Sequence, residues 1–67
     1  MNYVIIEMQT TNGQTAVVTP VAYADHIEAE AVFLEKCAYA RRSGLEIHTV
    51  VLMDAEGNVV ARKTFKV

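Results

Sequence analysis

The chain is expected to fold as α+β in the order ββαββ, a four-stranded antiparallel sheet with one helix packed on one face. Three observations predict this. Short β-branched and aromatic runs occupy both ends of the chain, turn dipeptides separate them in pairs, and one segment with helical start and stop signals lies between the pairs. At 67 residues, with no linker, repeat or low-complexity stretch, residues 1–67 are expected to be one domain.

The opening run "YVIIEMQ" reads as a strand over 3–9, with Val4, Ile6 and Met8 on one side and Tyr3, Ile5, Glu7 and Gln9 on the other. Asn12-Gly13 is the dipeptide a type I′ hairpin turn prefers, because both central residues need positive φ. The second strand follows over 15–23. Pro20 has no N–H to give a ladder, which places this strand at an edge.

The stretch "HIEAEAVFLEKCAYARRSG" (26–44) reads as the helix. Asp25 suits the N-cap, Glu28 makes a capping-box-like pair with it, Arg41 and Arg42 suit the last turn, and Gly44 suits the C′ position. A third strand covers 46–54, "DAEGN" turns the chain, and "NVVARKTFKV" supplies the fourth. The first and third strands are apolar on both faces and should be central, giving the order 2-1-3-4.

The helix carries more apolar residues than one face needs. Ile27, Ala31, Leu34 and Ala38 form one stripe, and Phe33, Cys37 and Ala40 form a second. The two are expected to merge into one broad core face, with Glu30 and Arg41 reaching water at its ends. Val32 and Tyr39 fall outside it as a small exposed strip. For the sheet, Val4, Ile6, Met8, Val51 and Met53 are expected to meet the helix. That leaves Tyr3, Ile5, Val50 and Leu52 looking outward as an apolar patch, and such a patch marks an interface. A protein interface of Tyr3, Ile5, Val50, Leu52, Val32 and Tyr39 is therefore expected.

Self-association is also the available route to stability. A chain this short buries only about 60% of its unfolded surface. The single cysteine, Cys37, excludes an intrachain disulfide, and His26, His48 and Cys37 show no ligand spacing, so neither a metal nor a cofactor is expected. The hydrophobic fraction of 52% fits a homodimer or higher homo-oligomer.

No nucleophile motif, phosphate loop or H-E-x-x-H is present, so an enzyme is not expected. His48 reads as a strand packing or surface residue, His26 as solvated, and Cys37 as a small buried hydrophobe. The formal net charge of −2 argues against coating nucleic acid. The alternative is a basic rim of Arg41, Arg42, Arg62, Lys63 and Lys66 with Tyr and Phe for stacking, although lysines also guard sheet edges. No run approaches a membrane span, and "MNYVIIEMQ" lacks the features of a signal peptide, so a cytoplasmic protein is expected.

Over its whole length the chain resembles a group of very small ββαββ proteins encoded by phages and prophages of gut bacteria. The segments that carry the resemblance are "YVIIEMQT", "EAEAVFLEKCAYARRSGLEIHTVVLMD" and "EGNVVARKTFKV". It departs from them at Leu34, where a second histidine would stand, and at Val67, where a polar residue would end the chain. The resemblance implies a mobile-element setting and no catalytic motif, not a mechanism; in a phage setting the expected role is a virion-assembly accessory or an inhibitor of a host protein in the host-cell cytoplasm.

Overall fold

A computed structural model describes residues 2–67. β1 (Tyr3–Thr11), β2 (Gln14–Tyr23), α1 (His26–Arg42), β3 (Ile47–Asp54) and β4 (Val59–Lys66) follow in the expected order. They form one antiparallel sheet, β2-β1-β3-β4, so both the ββαββ architecture and the strand order are as expected.

Local chemistry explains the elements. Asn12 and Gly13 both take positive φ (54° and 75°), and the closing pair of the turn is Thr11 opposite Gln14. β2 is an edge strand, as Pro20 requires. Its ladder with β1 is interrupted between the pairs Glu7–Val18 and Ile5–Val21, so Pro20 sits in a bulge where no ladder donor is needed. Asp25 caps α1 by accepting from the Ile27 N–H at 3.2 Å, and Gly44 leaves the helix at φ 72°. In the β3–β4 turn the Asp54 carboxylate accepts from the backbone N–H groups of Glu56 and Asn58, both at 2.9 Å. These bonds, with that of the Asn58 backbone foremost, hold the Asp54 carboxyl below its ordinary pKa.

The core lies between α1 and the face of the sheet that carries Ile5, Val50 and Leu52. The helix contributes Ala29, Phe33, Cys37 and Ala40, with Tyr3, Tyr23, Val32, Ala61 and Phe65 packed around the margin. This reverses the expected assignment of the sheet faces. Ile5, Val50 and Leu52 are buried beneath the helix, and Tyr3 is half-buried beside them. The outward face carries Val4, Ile6, Met8, Val51 and Met53, of which Val51 is buried between its neighbours and the others are half-buried.

Alternation cannot choose between two apolar faces, but chirality can. β2 and β3 both run antiparallel to β1 and are therefore parallel to each other, with α1 as their crossover. The closing pair of a two-residue hairpin loop is a hydrogen-bonded pair. The odd residues 7, 9 and 11 of β1 thus aim their N–H and C=O groups at β2. In an L-residue strand seen running upward, a side chain toward the viewer has its N–H and C=O pointing right. Seen from the odd-residue side, β2 therefore lies to the right of β1 and β3 to the left. Only a helix on that side makes the β2-α1-β3 crossover right-handed, as about 98% of such connections are. The side chains of Ile5, Glu7 and Gln9 consequently point toward α1.

The broad helix face is also corrected. At about 100° per residue the stripe of Ile27, Ala31, Leu34 and Ala38 lies roughly 130° from that of Ala29, Phe33, Cys37 and Ala40. A flat sheet touches one of them. Ala29 and Ala40 are fully buried and let the helix backbone settle close to β1 and β3, while Ile27 is 78% and Leu34 58% exposed. Val32, expected on the surface, packs half-buried against the core, whereas Tyr39 is 71% exposed as expected.

Leu52→Ala is predicted to lower unfolding free energy by about 2–5 kcal/mol, as a fully buried leucine does. Met8→Ala, on the outward face, should cost the monomer less than half as much. Urea unfolding of dilute samples followed by circular dichroism measures both, and equal losses would contradict the assignment of faces.

Candidate protein interface and the polar relay beneath the helix

The outward face of the sheet is built from alternate residues of four strands. Cross-strand register places Val4 beside Ala22 and Met53, Ile6 beside Val51, and Met8 beside Val17 and Thr49. Arg62 follows Val51 on β4, Thr64 follows Thr49, and Lys66 follows Ile47. Thr10 pairs its hydroxyl with Thr15 at 2.8 Å, and Thr49 pairs with Thr64 at 3.2 Å. These pairs satisfy the hydroxyl groups at one end of the face and leave the other end apolar. No carboxylate lies on this face within the paired strands, and Arg62 and Lys66 are its only charges. No element covers it among the described residues.

The opposite, helix-facing side holds a polar chain that sequence reasoning missed. His48 is 1% exposed. Its Nε2 lies 2.5 Å from Glu7 Oε2, and its Nδ1 lies 3.0 Å from Ser43 Oγ. The Ser43 hydroxyl donates to the Ala40 carbonyl at 2.8 Å, closing the last turn of α1. Glu7 also accepts from Lys36 and from Gln9, each at 3.3 Å. Burial pushes the Glu7 carboxyl up, but the hydrogen bonds from His48, Gln9 and Lys36, together with the Lys36 charge, outweigh it and hold its pKa below the ordinary value of 4.5. No buried side-chain polar atom is left without a partner among the described residues.

Serine, histidine and glutamate in series have the composition of an acyl-transfer triad, but the surroundings oppose that chemistry. Ser43 is the C-cap of α1. Its hydroxyl proton is given to the Ala40 carbonyl, at the negative end of the helix dipole. Cys37 is equally unsuited to attack. Burial raises its pKa, and the nearby Lys63 offsets this only in part. No group of three or more metal-binding side chains occurs among the described residues. The arrangement ties β1, β3 and the end of α1 together. It was not legible because Glu7 lies 41 positions from His48 in sequence. The available signal was parity, since Glu7, Gln9 and His48 share a face with Ile5 and Val50.

His26 is half-exposed, 3.5 Å from Glu30, and its ring stacks on Tyr3 with centroids 5.0 Å apart. The five candidate basic residues do not form one rim. Arg41 and Lys63 share a hollow between α1 and β4, Arg42 lies across the helix beside Tyr39 and Ser43, and Arg62 and Lys66 are on the outward sheet face. Tyr3, Tyr23 and Phe65 pack toward the helix, so the outward face has no aromatic side chain for base stacking. No helix is long and apolar enough to cross a membrane among the described residues.

Comparison with protein-family models, curated proteins and solved structures yields no match. The resemblance to phage-encoded proteins therefore rests on the residues quoted above.

The relay carries a pH prediction. A carboxyl whose folded pKa is depressed contributes stability that is fully present above its unfolded pKa and is lost as pH falls through the folded one. Urea midpoints should therefore hold steady above the ordinary carboxyl value of 4.5 and fall below it. Glu7→Gln should flatten that acid limb; an unchanged limb would place the acid sensitivity elsewhere.

Proposed function

We propose that this chain is a non-enzymatic protein-binding module that acts as a homo-oligomer, with the outward face of the sheet as its contact surface. The observation that supports this reading is the apolar sheet face of Val4, Ile6, Met8, Val51 and Met53, over which no element packs among the described residues; Val51 is buried between its neighbours and the other four are half-buried.

The size of the face is adequate. Four strands at about 4.8 Å spacing and eight residues at about 3.3 Å rise span roughly 19 by 26 Å, or about 500 Å². Two copies face to face would bury on the order of 1,000 Å², the lower bound for a stable interface. Stacking with antiparallel edges sets Arg62 and Lys66 of one copy over β2 of the other, away from their counterparts. The chemistry of the polar relay agrees with a role that needs shape rather than turnover. The resemblance to phage proteins would make such a module a virion-assembly accessory or an inhibitor of a host protein in the host cytoplasm.

Light scattering coupled to gel filtration tests the reading. At high micromolar concentration the wild-type chain should show a mass about twice its 7.4 kDa. Ile6→Lys, with a folded circular dichroism spectrum, should return it to the monomer. A wild-type monomer, or a folded Ile6→Lys variant of unchanged mass, would contradict it. Leu52→Lys does not serve, because Leu52 is core and the variant should unfold.

A further inference from the structure

The second exposed apolar stripe of α1 is not used by the sheet face. Leu34 and Ala38 from that stripe form one wall of a hollow of about 220 Å³, and Phe33, Cys37 and Phe65 form its apolar floor. Arg41 and Lys63 stand at its rim. Neither is in an ion pair among the described residues. The hollow lies between the helix and β4, whose outer edge has no neighbouring strand among the described residues. Unpaired backbone groups therefore run alongside a groove that can receive side chains, and a cation pair sits above it.

We propose that this edge is a docking site for an extended acidic peptide segment of another protein, added to the sheet as a strand beside β4. Main-chain hydrogen bonds to an open edge give such a complex its affinity, and pockets for alternate side chains give it specificity. Every second residue of the added strand points to the helix side. The neighbours there are Ala61, Lys63 and Phe65, so the matching pattern is apolar, acidic, apolar. The acidic residue meets Lys63 and Arg41, and the apolar ones pack against Phe65 and Leu34 on one side and Ala61 on the other.

Charge decides against a second copy as the occupant. β4 carries Arg62, Lys63 and Lys66 and no acid. Pairing it with another β4 would set cations across from cations, which is destabilising. The opposite edge is a poorer host. β2 contains Pro20 and its bulge, and no β2 residue lines the hollow of about 360 Å³ formed by Glu7, Glu35, Lys36 and Tyr39.

Fluorescence anisotropy with a labelled peptide, Thr-Leu-Thr-Glu-Thr-Leu-Thr, tests the site on the intact chain. Saturable binding is expected, and it should weaken about tenfold or more in the Arg41→Glu, Lys63→Glu double variant. A peptide with lysine in place of its glutamate should recover affinity for that variant. Of two peptides N-methylated on alternate residues, one should bind and the other should not, because only one set of N–H groups faces β4. The assignment is overturned by absence of saturable binding, by a double variant of undiminished affinity, or by both N-methylated peptides binding like the parent. It is also overturned if the peptide dissociates a homo-oligomer, which would show a second copy on this edge. Ile6→Lys, which acts on the opposite face, should leave peptide binding unchanged.

Discussion

One helix can cover one face of a four-stranded sheet, and the rest of this structure depends on which face that is. The choice is made by backbone chirality rather than by hydrophobicity. A two-residue turn at Asn12-Gly13 sends the hydrogen bonds of Glu7, Gln9 and Thr11 toward β2. A right-handed crossover then brings α1 onto the side where those residues point. Ile5, Val50 and Leu52 become core, and Val4, Ile6, Met8 and Met53 are left without a cover.

The same choice puts polar groups under the helix. Glu7, Gln9 and His48 alternate with Ile5 and Val50 on the covered face, so burying the one set buries the other. Leaving a carboxylate or an imidazole there unpaired would cost several kcal/mol. Ser43, Lys36 and Gln9 complete their hydrogen bonds, and Ser43 closes the last turn of α1 at the same time. The relay fixes the end of the helix over β1 and β3, which in turn sets Leu34 and Ala38 over the hollow beside β4. The two proposed contact surfaces are thus what remains once one helix stripe and one sheet face have been joined.

Much of the fold was legible in the sequence, and its limits have physical causes. Pro20 and the two-sided apolar character of β1 and β3 led to the strand order, and Asp25, Asn12-Gly13 and Gly44 marked the element boundaries. The site was less legible. Two faces of β1 look alike by hydropathy, and so do two stripes of α1, so patterning alone left each choice open. Tyr3, Ile5, Val50 and Leu52 were assigned outward for that reason. Turn parity and crossover handedness carry the missing information for the sheet. For the helix it lies in the small side chains of Ala29 and Ala40, which permit close approach. The Glu7–His48–Ser43 chain needed the three-dimensional register, since nothing local links residues 41 positions apart.

The most direct test of this account is the broadening of methyl resonances by a soluble paramagnetic probe, followed as the protein is diluted. The methyl groups of Ile5, Val50 and Leu52 should be protected at every concentration. Those of Val4, Ile6, Met8 and Met53 should be protected when concentrated and broadened when dilute. Broadened Ile5 and Leu52 signals, or protection of Ile6 and Met8 that dilution does not change, would contradict it.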